Sequence, residues 1–209
     1  MQITCLHTAD VHIPTFQALF DKLSPNATIK HVVREDLLAR AQGEGMTGIR
    51  GETIGLLKEL SVADAVLCTC STLGAVVDEL ADERFIRVDR PMMDAACQFG
   101  PNVLMAFCLE STRVPSLGLL NQSARDLGVR LDVTAHLCEN AWQFFEASDD
   151  AGFARAVADS VWGAVDGHDC IILAQASMRV AEPLLADLGI PVLTSPEMAA
   201  RAAIAQAQL

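Results

Sequence analysis

Basic residues are scarce in this chain. Its 209 residues include 15 Lys and Arg against 27 Asp and Glu, a formal net charge of −12. A surface of that sign repels phosphate backbones, so nucleic acid is not an expected partner. It leaves room for a small carboxylate ligand, because local donors decide that. Long apolar runs are also missing. None reaches the roughly 18 residues of a membrane span, so no membrane partner is expected. The stretch MQITCLHTADVHIP has no basic start followed by an apolar core. No secretory signal is therefore expected. No GxxxxGKS/T occurs, and no nucleotide or dinucleotide site is expected. Cysteine is used seven times, an odd number, mostly within apolar runs. That suggests reduced thiols and a cytoplasmic location. Cys68 and Cys70 lack the C-x₂₋₄-C spacing and second ligand pair of a zinc site, and no C-x-x-C redox motif is present.

What is present is alternation. Half of the residues, 51%, are hydrophobic, enough for a core. Strand-length apolar runs are expected at 3–7, 29–33, 64–69, 85–89, 102–109, 130–137, 169–175 and 191–195. Helix-length amphipathic segments separate them. They include PTFQALFDKLS, EDLLARAQ, ETIGLLKELS, TLGAVVDELAD, PMMDAACQFG, PSLGLLNQSARDLG, ENAWQFFEAS, AGFARAVADSVWGAVDG, VAEPLLADLG and PEMAARAAIAQAQ. This order predicts an α/β fold of parallel β–α–β units, with sheets covered on both faces. AVLCTCSTLG and IILAQASMRV share an outline: an apolar strand, small polar residues, then a helix. Two similar α/β lobes are expected, an N-terminal one at 1–95 plus 195–209 and a C-terminal one at 96–194.

Ligands of such sheets bind beyond the C-terminal strand ends. The residues there are Thr8, Asp10 and His12, then Cys70, Ser71 and Thr72, then Ser111 and Thr112. His136 and Cys138 follow, then Gln175 and Ser177, and last Ser195. Cys70 stands where a strand meets a helix, and a helix N-terminus favours a thiolate. It is either a nucleophile or base, or a packing residue. Asp10 either caps the first helix or orients a reacting group. His12 is either a surface residue or a proton acceptor. Cys68, Cys5, Cys97, Cys108 and Cys170 read as packing.

With these corners assembled, the chain resembles the aspartate/glutamate racemase superfamily, which includes hydantoin racemases, maleate isomerases and arylmalonate decarboxylases. Cys70-Ser71-Thr72 is similar to the family's strand-ending Cys-Asn-Thr or Cys-Ser-Thr. Asp10 matches its first-loop acid, VLMAFCLEST its middle strand and TSPEMAARAA its closing helix. The resemblance implies an active site in a cleft between two lobes and chemistry without metal or organic cofactor. Two cysteines on opposite lobes would exchange a proton at the carbon α to a carboxylate. Cys70 would be one of them, with Asp10 and His12 beside it. Thr8, Ser71, Thr72, Ser111, Thr112, Gln175, Ser177 and Ser195 would bind substrate oxygens. Arg113 and Arg179 are candidates for a second carboxylate. Members often form dimers, so a homodimer is the implied assembly. The chain departs from the family pattern at the second cysteine, where Gln175 stands, or Ala176 if the alignment slips by one. Cys138 would substitute only under a different alignment. An isomerase or racemase with Cys70 as base or nucleophile is the expectation. A decarboxylase and a non-catalytic carboxylate-binding protein are the alternatives.

Overall fold

The structure is a computed structural model and describes residues 1–209. The chain divides into two units, Met1–Pro91 with Pro196–Leu209, and Met92–Ser195.

The first unit contains β1 (Gln2–His7), α1 (Ile13–Leu23), β2 (Thr28–Val33), α2 (Glu35–Glu44), α3 (Met46–Leu60), β3 (Ala65–Cys68), α4 (Ser71–Val77) and β4 (Phe85–Arg87). The strands form a parallel sheet in the order β2-β1-β3-β4. Successive strand residues point to opposite faces, and both faces here are apolar. Ile3, Cys5, Ala65 and Leu67 pack with Phe16 and Phe20 of α1, and with Ala199, Ala200 and Ala203 near the C-terminus. Leu6, Val66 and Cys68 pack on the other side with Leu37, Ile49, Leu57 and Leu73. Burial on both faces explains why the central strands β1 and β3 read as near-continuous apolar runs, while the edge strand β2, TIKHVV, is partly exposed and carries polar residues.

The second unit contains β5 (Asn102–Phe107), α6 (Glu110–Asp126), β6 (Asp132–Leu137), α7 (Trp142–Glu146), α8 (Asp150–Trp162), β7 (Cys170–Leu173) and β8 (Val192–Thr194). Before them, α5 (Arg90–Ala96) leads in from the first unit, and after them α9 (Ser195–Gln206) returns to it. The sheet order is β6-β5-β7-β8, again all parallel. Adding four to each strand number of the first sheet gives the second. One face packs Leu104, Ala106, Ile171 and Leu173 against Phe153, Val157 and Val161 of α8.

The departures from expectation are local. The segment Ala176–Leu188 forms 3-10 turns rather than an α-helix. Pro183 lies inside it, and a proline there removes an N–H and crowds the preceding turn. Helix α6 begins at Glu110, ahead of Pro115 rather than at it. Helix α4 stops at Val77, and Asp78 is its C-cap. The run Gly43-Glu44-Gly45-Met46-Thr47-Gly48 has the GxGxxG spacing. It joins two helices, α2 and α3, so it is not the strand-to-helix turn that a dinucleotide needs. No helix is long and apolar enough to cross a membrane.

Candidate active site

Ladder register places the corner residues of the first unit. The last pair between β1 and β3 is Leu6 with Cys68, and the Thr69 N–H donates to the Leu6 carbonyl at 2.9 Å. Two residues further on, Thr8 and Cys70 occupy matching positions at the ends of adjacent strands. Both are nearly buried, at 7% and 8% exposure. Cys70 is the N-cap of α4, with extended backbone (φ −105°, ψ 114°) and its carbonyl accepting from the Gly74 N–H at 3.0 Å. Ser71 and Thr72 open α4 and are exposed. The first N–H groups of a helix have no acceptor within it.

Cys68 is a core residue with no exposure, and its thiol donates to the Cys70 carbonyl at 3.7 Å. Burial pushes that thiol far up, and the neighbouring Cys70 adds to the effect. Asp10 is exposed and starts a 3-10 turn, Asp10–His12. It does not cap α1, whose N-cap is His12 with no side-chain capping bond. His12 is half-buried, and burial lowers its pKa.

Beneath Cys70, a hydrogen-bonded chain crosses the sheet. Thr69 Oγ1 lies 2.8 Å from His7 Nδ1. His7 Nε2 lies 2.8 Å from His31 Nδ1, and His31 Nε2 lies 3.0 Å from Gln17 Oε1. The Gln17 amide donates to Asp21 Oδ1 at 2.7 Å. Burial, then the charges of His31 and His12, lower the His7 pKa to about 4. The sequence alone assigns no role to His7, Gln17, Asp21 or His31. The only signal was three histidines within 25 residues of each other in the first lobe. Which of them meet depends on strand register.

A buried ion-pair group holds α4 from the β4 side. Arg87 Nε donates to Asp89 at 2.6 Å and its second nitrogen at 3.0 Å, and Arg87 also pairs with Asp78. Gly74 sits against that guanidinium. A Cβ there would lie 2.8 Å from Arg87 Nε.

The second unit repeats the corner with different chemistry. The last pair between β5 and β7 is Ala106 with Leu173. Two residues on, the matching positions are Cys108 and Gln175. Gln175 is the N-cap of the 3-10 segment, as Cys70 is the N-cap of α4. Topology therefore assigns Gln175 as the counterpart of Cys70. Its Oε1 accepts from the Cys108 N–H at 2.6 Å. Ser111 is exposed and Thr112 half-buried, both in the first turn of α6. Ser177 is half-buried at the start of the 3-10 segment, and Ser195 is buried at the start of α9. Arg113 pairs with Glu110 at 3.0 Å.

Cys138 aligns with Cys108 as the next position after the Leu137–Phe107 pair. Both belong to the apolar core under α8. A hydrogen bond between the two thiols raises Cys108 and lowers Cys138. Cys170 begins β7, away from the strand end.

Three solved structures share this fold. An aspartate racemase from Picrophilus torridus superposes with a TM-score of 0.69 at 15% identity, covering 99% of this chain and 94% of its own. A glutamate racemase isoform from Bacillus anthracis gives 0.70 at 17% identity, with 99% and 81% covered. This is the fold of the aspartate/glutamate racemases. An allantoin racemase from Klebsiella pneumoniae shares the racemase fold at a TM-score of 0.67 and 18% identity, covering 98% and 86%. No family model matches the chain, and no curated protein matches it.

Proposed function

We propose that this protein is a racemase-fold enzyme acting at the carbon α to the carboxylate of a small acid, with Cys70 as thiolate base or nucleophile. The observation that carries the reading is Cys70 itself. It is a thiol at the end of a central strand and the start of a helix, with Thr8 at the adjacent strand end. Exposed Ser71 and Thr72 follow it directly. The reading is supported by the fold shared with proteins named as aspartate, glutamate and allantoin racemases.

In this reading Thr8, Ser71 and Thr72 hold the substrate carboxylate through hydroxyls and helix-start N–H groups. Charge that develops on the carboxylate as the α-proton leaves is stabilised by the same donors. Asp10 and His12 orient or deprotonate the reacting groups. Ser111, Thr112, Gln175, Ser177 and Ser195 are further ligands for substrate oxygens. Gln175 offers an amide where the first unit offers a thiol, so it binds and does not exchange a proton. The chemistry needs no cofactor, and the enzyme works as a cytoplasmic homodimer.

The test is α-proton exchange in D₂O, followed by NMR, with aspartate, glutamate, hydantoins and other small acids. Wild-type exchange that falls by about 10²–10⁴-fold in Cys70→Ser supports the assignment. Exchange that is equally fast in the variant overturns it.

A further inference from the structure

Cys5, His7 and His31 form a group that the proposed chemistry does not use. Cys5 and His7 lie two residues apart on one face of β1. His31 is the direct register partner of Cys5 on β2. The donor atoms of all three lie within 4.8 Å of one another. Cys5 and His7 have no exposure, and His31 is half-buried.

We propose that these three side chains form a binding site for one thiophilic d¹⁰ cation, with Zn²⁺ as the ion of choice. The ligands would be Cys5 Sγ, His7 Nε2 and His31 Nδ1. The assignment rests on the geometry of β1 and β2 and not on the racemase reading.

The outer nitrogens of the two rings carry the argument. A metal-bound imidazole needs its far nitrogen protonated and held by an acceptor. His31 Nε2 faces Gln17 Oε1, which can only accept. The Gln17 amide is fixed the right way round by Asp21. The proton of His31 is therefore on Nε2, and its Nδ1 presents a lone pair to Cys5 and His7. Thr69 Oγ1 lies within bonding distance of both His7 Nδ1, at 2.8 Å, and the Leu6 carbonyl, at 3.2 Å. Its hydroxyl can donate to Leu6 and accept from His7 Nδ1–H. His7 thus has a satisfied tautomer in which Nε2 is also a lone pair.

Without a cation, one proton lies between His7 Nε2 and His31 Nδ1, which are 2.8 Å apart. On binding, that proton passes to His7 Nδ1, where Thr69 Oγ1 accepts it, and the ion takes its place between the two nitrogens. Tetrahedral ligation requires the two nitrogens to open to about 3.3 Å. His31 belongs to β2, the edge strand of its sheet, so the small movement falls on the strand with a neighbour on one side only. The ion also supplies what Cys5 lacks. Burial pushes that thiol up to about 12, and an adjacent divalent charge makes the thiolate stable. Binding therefore releases the Cys5 proton, while the proton between the histidines stays on the protein as His7 Nδ1–H. Two imidazoles and a thiolate suit Zn²⁺ or Cu⁺ over Mg²⁺ or Ca²⁺. One tetrahedral position is left for a further ligand.

The experiment uses the full chain, stripped with a chelator and re-equilibrated with Zn²⁺ or Co²⁺. Elemental analysis after gel filtration should find one ion per chain. The Co²⁺ form should show a near-ultraviolet thiolate-to-metal band. Cys5→Ser should lose that band, and His31→Gln should weaken Zn²⁺ at least tenfold. His31→Gln replaces a half-buried edge-strand residue with another hydrogen-bonding one, so it reports on binding even if Cys5→Ser folds poorly. No retained ion, or equal binding in wild type and His31→Gln, would overturn the site and leave only a hydrogen-bonded chain.

Discussion

The backbone N–H of Cys108 donates to the side-chain oxygen of Gln175 at 2.6 Å, tying the end of β5 to the end of β7. An ordinary ladder would have used a main-chain acceptor. Gln175→Ala leaves that partly buried N–H without its acceptor, which costs about 1–3 kcal/mol. Gln175→Glu keeps an acceptor at the same reach and should cost less. Urea unfolding of the two variants separates these outcomes. Equal losses would mean the amide acts through packing.

Arg87 and Asp89 are 7% and 4% exposed and bond through two nitrogens and two oxygens. Removing one partner strands the other charge in the interior. Arg87→Leu should therefore destabilise by about 3–5 kcal/mol. The double variant Arg87→Leu/Asp89→Leu should recover part of that loss. A double variant as unstable as the single one would contradict this account of the pair.

Gly74 tests the same group from the helix side. Gly74→Ala places a methyl 2.8 Å from Arg87 Nε, and overpacking of this kind costs about 1–3 kcal/mol. In an Arg87→Leu background the penalty should shrink, because the two residues touch. A thermodynamic cycle over the four proteins measures the coupling. Since α4 also carries Ser71 and Thr72, proton exchange in Gly74→Ala should slow along with the stability loss.

His7 makes stability depend on pH. Its folded pKa, about 4, lies below the ordinary histidine value of 6.5. The unfolded chain takes up a proton that the folded chain refuses. The contribution is present in full above about pH 6.5 and is lost as pH falls toward 4. It amounts to at most about 3 kcal/mol. Urea midpoints taken in the presence of a chelator should fall over that range. His7→Gln should flatten the fall, and an unchanged slope would assign it to other groups.

All eight strands were legible, and the central ones β1, β3, β5 and β7 most clearly, because burial on both faces leaves few polar interruptions. VLMAF and CIIL are the clearest cases. Cys70 and its neighbours were legible because strand ends are marked by a change from apolar to small polar residues. The hidden parts depend on distance in sequence. The pairing of Cys5 with His31 is set by how far the α1 crossover carries the chain, and no local pattern encodes that. Prolines misled in two directions. Pro115 suggested a helix start, yet α6 runs through it from Glu110. The run VAEPLLADLG, with Pro183 inside it, reads as a helix, yet the segment adopts 3-10 turns. Helix α4 was expected to continue past Asp78. Asp78 instead pairs with Arg87 and Arg90 at the point where the helix ends.

The first unit is closed by a segment that follows the second unit in sequence. Ala199, Ala200 and Ala203 of α9 lie in the same core as Ile3, Cys5, Phe16 and Phe20. A ribosome delivers those residues only after the whole of the second unit. The second unit has all of its own strands by Thr194 and can finish folding first. Until α9 emerges, the face of β1 and β3 toward it waits half-covered, with apolar surface open to wrong partners. The order of assembly is thus the reverse of the order of translation, and the unit made first is completed last.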